Sequence, residues 1–234
     1  MNNKKMVLQV LLITLIISAA DASGNDSMQQ EKKSGQVALE IIPGRYFENR
    51  GWFFIFPFKK GPQIAAWVED EKENYMGTIV VSDKTAGESW ISAPEEGRPE
   101  SLPVWSHRSS EISNSIDAVT AASHAISENS RIESSLKLPA GRYKVFLEVN
   151  NSYDWNKIWK KKLPKSSPYF NGVNGQPSVI YQADIEIGHG TASVKMMPSG
   201  MGDPLGRDGD IDKSFDGIDS ALSILESVYV KING

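Results

Sequence analysis

The sequence predicts a mainly β domain, an antiparallel sandwich with a long insertion and one or two short helices. Three observations carry that expectation. The strong segments are short and rich in β-branched or aromatic residues, Gly, Pro and Asn turns separate them, and no regular alternation of strand and helix marks a parallel sheet. With 234 residues, 40% of them hydrophobic, the chain can bury a substantial core.

Taken in order, Gln36 to Ile42, Gln63 to Asp70, Tyr75 to Ser82, Arg142 to Asn150 and Ser178 to Ile187 have strand length and strand composition. Arg131 to Leu138 alternates Ile132, Ser134, Leu136 and Leu138, and Pro139-Ala140-Gly141 then turns the chain into Tyr143, Val145, Leu147 and Val149, a pattern that predicts a β-hairpin. Ser227 to Ile232 places Val228, Val230 and Ile232 on one face of a last strand. Helices are expected at Ser113 to Ser127, rich in Ala and small polar residues, and at Ile218 to Glu226, where Ile218, Leu222 and Leu225 recur at helical spacing. The sandwich expected from these elements is immunoglobulin/fibronectin-like. The insertion from Ser152 to Gln176 carries Trp155, Trp159, Tyr169 and Phe170, rings enough to predict that it folds back over the sandwich.

The ends of the chain set its destination. Lys4 and Lys5 precede an apolar run from Met6 to Ala20, and Ala20-Asp21-Ala22 supplies a cleavage signal, so residues 1 to 22 read as a signal peptide. Its removal takes two Lys and one Asp from the 25 basic and 29 acidic residues and leaves a mature formal charge of -5. Residues 23–35 are expected to be a flexible polar leader, and 36–234 a single domain located in the periplasm or secreted. The acidic balance excludes a dedicated nucleic-acid binder. With no Cys there is no disulfide framework, thiolate metal site or thiol nucleophile.

Chemistry-bearing motifs are few. Asp203, Asp208, Asp210, Asp212, Asp216 and Asp219 cluster, but Lys213 stands where a calcium loop needs Gly. His107, His124 and His189 lack metal-ligand spacing. Lys157, Lys160, Lys161, Lys162 and Lys165 interleave with Trp155 and Trp159, a pattern suited to a solvated face with the two rings packed inward, to an anionic polymer or a lipid surface, or, with the rings exposed, to sugar stacking. No Gly-x-Ser-x-Gly elbow, phosphate loop or His-Glu-x-x-His is present, so an electron carrier or binding protein is a better expectation than a self-contained enzyme.

Asp117-Ala118-Val119-Thr120-Ala121-Ala122-Ser123 resembles the acceptor sequence of extracytosolic flavoproteins modified by a flavin transferase. That pattern is Asp, two variable residues, Ser or Thr, usually Gly, then Ala, then the Thr or Ser that receives FMN as a phosphoester. The resemblance implies covalent FMN on Ser123, with Asp117 and Thr120 at motif positions. Ala121 stands where Gly is usual, and Ser123 where Thr is commoner. The competing reading makes this stretch an amphipathic helix or loop with Asp117 only as an N-cap.

Ala65 to Asp70, Leu102 to Arg108, Asp117 to Ser123, Gly172 to Ser178 and Gly217 to Ala221 resemble, in this order, a family of exported bacterial domains of unknown function, the DUF2271-like periplasmic β-sandwich proteins. That resemblance implies a link with flavin transfer and extracytosolic electron transport, hence a flavin transferase and a membrane redox partner. Trp105, His107 and Arg108 become candidates for lining the isoalloxazine, because a ring can stack on it and a cation can stabilise its reduced anion. The alternative is a cofactor-free binding module that recognises a glycan or a partner protein through the aromatic, Lys-rich insertion. Neither reading requires stable membrane insertion once the signal peptide is removed.

Overall fold

The computed structural model describes residues 34–53, 56–82, 98–110, 131–171 and 174–234, and Lys33 to Gly234 cluster as one compact unit. Eleven strands are described: β1 Ser34–Pro43, β2 Asn49–Phe53, β3 Phe56–Lys60, β4 Gln63–Asp70, β5 Tyr75–Val81, β6 Arg131–Pro139, β7 Gly141–Asn150, β8 Val179–Ile187, β9 Ala192–Lys195, β10 Met197–Met201 and β11 Leu225–Asn233. One α-helix, α1, spans Pro103–Ser110, and short 3-10 turns cover Pro99–Ser101 and Ser220–Ser223. β1 begins two residues before the folded part was expected to start.

Two antiparallel sheets account for most strands. One has the order β6-β1-β11-β9 and the other β10-β8-β7-β4-β5, while β2 and β3 form a separate two-stranded sheet. Strand alternation explains how the larger sheets meet. Val37, Leu39 and Ile41 of β1 and Val228, Val230 and Ile232 of β11 are buried, and they share one core with Ile64, Ala66 and Val68 of β4, with Val145, Leu147 and Val149 of β7, and with inward residues of β8. Full burial of each such Val, Leu or Ile side chain is worth roughly 1.5–3 kcal/mol.

The predicted β6–β7 hairpin is not formed. β6 pairs with β1, β7 pairs with β4 and β8, and the chain crosses from one sheet to the other at Pro139-Ala140-Gly141. Leu138, Tyr143, Val145 and Leu147 do share one apolar surface, with Leu136 packed against it, but they reach it from facing sheets. The Tyr143 hydroxyl donates to the Pro139 carbonyl at 3.0 Å and staples the corner.

A second correction concerns Ile218 to Glu226. Only Ser220–Ser223 form a helical turn, capped by the Asp219 carboxylate on the Ser220 amide, and Leu225 already belongs to β11. Gly217 has φ +77°, a left-handed conformation that breaks helix continuity, and pairing with β1 draws Leu225 into the sheet. The helix expected at Ser113 to Ser127 lies outside the described residues. The insertion does fold back: Trp159 is buried with Tyr169 edge-on at 5.3 Å, and the Asn156 amide donates to the Gly217 carbonyl.

Candidate functional site

β4 is buried on both faces along nearly its whole length, because Ile64, Ala66 and Val68 face the core while Trp67 enters a second apolar cluster. That second cluster combines Trp67, Phe146, Ile180 and Val104, with Trp105, Tyr75 and Ile211 packed against it. Helix α1 therefore lies on the outer face of the five-stranded sheet. Trp67 and Phe146 stack there with centroids 5.2 Å apart and 14° between planes.

The helix is short, and its own sequence gives it little reason to form. Pro103 supplies a preset first residue without an N–H. The amides of Val104 and Trp105, which have no intrahelical acceptor, instead find the Glu148 carboxylate 44 and 43 residues along the chain. Val104 N donates to Oε1 at 3.3 Å, Trp105 N to Oε2 at 2.8 Å, and the Ser178 hydroxyl to Oε1 at 2.6 Å. A carboxylate at the positive end of the helix is well placed for the macrodipole. Glu148 is nevertheless fully buried, and desolvation outweighs those three bonds, which lower its pKa, so the carboxyl is pushed up to about 7.

Two glycines let the chain pass over this cap. A Cβ on Gly202 would sit 2.6 Å from Pro103 Cγ and Ser178 Oγ and 3.0 Å from Glu148 Oε1. One on Gly209 would sit 2.6 Å from His107 Cβ.

Around α1 the polar groups converge. Trp105 Nε1 donates to Thr78 Oγ1 at 3.0 Å, and Thr78 also shares a hydrogen bond with the Tyr75 hydroxyl, whose pKa burial raises. Trp67 Nε1 donates to the buried Glu69 carboxylate at 2.8 Å, and Arg108 Nε lies 3.7 Å from the same Oε1 with its side chain one-third exposed. His107 Nε2 donates to the Gly206 carbonyl at 3.2 Å. Trp105, His107 and Arg108 are all half-buried. The structure thus brings the three expected lining residues onto one helix, beside an aromatic stack and a carboxylate.

Asp117, Thr120 and Ser123 lie outside the described residues, as does His124. Sequence reasoning missed Glu148, Glu69, Thr78 and the helix itself. One signal was available: the unbroken apolar run Ile64 to Val68 marks a strand covered on both faces.

Elsewhere, the insertion and the Asp-rich loop bound a cavity of about 460 Å³, with Trp159, Tyr169 and Pro168 on one side and Asp208, Asp210 and Asp216 among the rest. Asp203 is engaged by Arg207 at 2.5 Å. Among the described residues no group of three or more His, Cys, Asp or Glu is placed to hold a metal ion. His189 pairs with Glu186 at 3.2 Å.

The family model of a predicted periplasmic protein, DUF2271, matches residues 58–166, a stretch that includes β4, β5, α1, β6 and β7. No curated protein and no solved structure matches the chain. The match gives the periplasm, one of the two locations expected from the signal peptide. Among the described residues no helix is long and apolar enough to cross a membrane.

Proposed function

We propose that the chain is an exported redox domain that carries FMN covalently on Ser123, or descends from domains that do. The observation that supports this reading is α1: it holds Trp105, His107 and Arg108 together and ends at Ser110, seven residues before the acceptor-like stretch begins at Asp117. The residues fit the group. Trp105 offers an indole fixed through Thr78, and Arg108 offers a cation whose exposed third is available beyond Glu69.

Bound FMN supplies the electron chemistry, and the protein supplies position and polarity. Attachment would join the Ser123 hydroxyl oxygen to phosphorus of flavin adenine dinucleotide, with AMP as the leaving group and the hydroxyl proton passing to a base of the transferase. Arg108 would supply positive charge and Trp105 an aromatic surface to the bound group, while Glu148 keeps the helix that carries them seated.

The fold reading that accompanies this is an antiparallel sandwich akin to immunoglobulin and fibronectin domains, supported by the two facing sheets and by the tyrosine-stapled corner at Pro139. Its strand order is its own. β4 and β5 are neighbours in one sheet, whereas the immunoglobulin plan parts its second and third strands.

A cofactor-free module for a glycan or partner protein is the second reading, favoured by the cavity beside Tyr169, a residue 40% exposed. Mass spectrometry of the exported protein, co-produced with a flavin transferase, separates the two. The expected result is a mass increase of FMN less water on the Ser123 peptide, lost in Ser123→Ala and kept in Ser123→Thr. Unmodified protein from the native host with an active transferase would leave the binding module as the function.

A further inference from the structure

The cavity between the insertion and the Asp-rich loop has two walls that local bonding holds in place. In the insertion, the Asn156 side-chain oxygen accepts from the Ile158 and Trp159 amides at 2.8 and 2.7 Å, a turn that tucks the Trp159 ring inward, and the Ser167 hydroxyl accepts from the Tyr169 amide at 3.2 Å. Tyr169 is left 40% exposed at the cavity, at right angles to the buried Trp159 ring. Opposite, Met201 and Asp212 exchange both backbone hydrogen bonds, at 2.7 and 2.9 Å, and so tie the Asp-rich loop to the edge of β10. Gly200 permits that approach, since a Cβ there would collide with the Asp212 carbonyl oxygen.

The lining offers acceptors and donors together. Asp208 and Asp212 each give one oxygen to an amide of their own loop, that of Asp210 at 3.2 Å and that of Ser214 at 2.9 Å, and Asp203 is engaged by Arg207. Asp210 and Asp216 stand exposed at the cavity as acceptors. Arg207 reaches Asp203 through Nε and Nη2, which leaves Nη1 unengaged among the described residues. Trp159, 3% exposed, has a buried Nε1 with no hydrogen-bond partner among them. Gly217, next to Asp216, packs against that nitrogen without a side chain: a Cβ there would lie 3.3 Å away. A buried donor left unpaired is costly, which favours an occupant that accepts.

We propose that this cavity binds a neutral saccharide. The inference rests on the glycan branch of the second reading and fixes its ligand class, and it does not require Ser123 to be free of flavin. A hydroxyl group accepts from Arg207 and from the Trp159 N–H and donates to Asp210 and Asp216, whereas each other class fails on one side. An anion meets the carboxylates of Asp208, Asp210, Asp212 and Asp216, and the one cation among the described lining residues, Arg207, is already paired. An ammonium ion offers no acceptor to either donor. A metal ion lacks its cage, since no group of three or more His, Cys, Asp or Glu is so placed among the described residues. Tyr169 adds a stacking surface, because the face of an aromatic ring carries partial negative charge that attracts the polarised C–H groups of a pyranose face. The cavity, about 460 Å³, lies within the roughly 300–1,000 Å³ of small-molecule sites.

The test is a glycan array of neutral, uronic acid-containing and sulfated oligosaccharides probed with the mature protein, followed by titration calorimetry with the neutral oligosaccharide that binds most strongly and, separately, with spermidine. Neutral oligosaccharides should bind and acidic ones should not. Tyr169→Ala should weaken binding by roughly tenfold or more, and Tyr169→Phe should retain it because the ring face remains. Asp210→Ala should weaken it by roughly tenfold, while Asp210→Asn keeps most of the affinity, since an amide oxygen still accepts from a hydroxyl. Asp210 is exposed, so neither of its variants threatens the fold. No neutral sugar bound, preference for acidic sugars, spermidine binding that Asp210→Asn abolishes, or wild-type affinity in Tyr169→Ala would each overturn the inference. The outcome is separate from that at Ser123: failure to bind sugar with an unmodified Ser123 peptide leaves a partner-protein module, whereas an FMN adduct removes the cofactor-free reading without touching sugar binding.

Discussion

Glu148→Gln tests whether a buried carboxyl, and the proton it takes up, governs the seating of α1. The Glu148 carboxyl is raised from 4.5 to about 7 by burial, despite bonds from Ser178, Trp105 and Val104. Because the folded value lies above the unfolded one, the folded state binds this proton more tightly. The stability it contributes is fully present below about pH 4.5 and is lost as pH rises through about 7. The shift corresponds to about 3 kcal/mol across that window. Gln occupies the same volume but does not titrate. Its amide oxygen can serve the Ser178 and Val104 donors at the Oε1 position, leaving Trp105 N–H facing an NH₂, at a constant cost of about 1–3 kcal/mol. Urea unfolding of both proteins from pH 4.5 to 8 isolates the carboxyl, because every other titrating group is common to the two. The wild-type advantage should be largest at the acid end and shrink by about 3 kcal/mol towards pH 8. A difference independent of pH would refute the reasoning, showing that Glu148 does not gain a proton on folding.

Three further substitutions probe other parts of the argument. Val145→Asp places a charge at a position with no exposure inside the shared core and should destabilise the domain by about 3–5 kcal/mol; an unchanged melting temperature would remove Val145 from the core. Gly202→Ala should cost about 1–3 kcal/mol, because its Cβ would meet Pro103, Ser178 and Glu148 together, and near-ultraviolet dichroism should report a shifted Trp105; wild-type stability would mean that the loop gives way freely. Tyr143→Phe removes the hydroxyl that closes the sheet-crossing corner and should cost about 1 kcal/mol in denaturant unfolding, whereas no change would show that the corner closes without it.

The strands were legible because alternation is a local signal. The bounds of β4 coincide with the run Gln63 to Asp70, and Val228, Val230 and Ile232 are buried as their spacing requires. Alternation tells which face of a strand is inward, but not which sheet the strand joins. Pro139-Ala140-Gly141 serves equally as a hairpin turn or as a corner between sheets, and only the pairing of β6 with β1 and of β7 with β4 and β8, settled across distant parts of the chain, decides it. Ile218, Leu222 and Leu225 mislead for a related reason, since their helical spacing competes with a strand partner, β1, that no local window contains.

The site was harder to read because its organising residue looks unremarkable in sequence. Glu148 follows the inward Leu147 and precedes the inward Val149, so alternation sends it outward, where a charged residue is ordinarily solvated. What keeps it dry is α1, and what makes α1 a helix is Glu148: eight residues fall short of the length at which a helix is stable alone. Neither half of that pair is intelligible without the other, and the capped amides lie more than forty residues from the carboxylate. Phe146 and Trp67, outward-facing and aromatic, were the local trace of the arrangement, since two adjacent strands with large rings on their outer face require a cover. The same dependence couples the site to the sheet. Loss of the cap frees the helix that carries Trp105, His107 and Arg108, so a change at β7 can alter those three side chains without touching them.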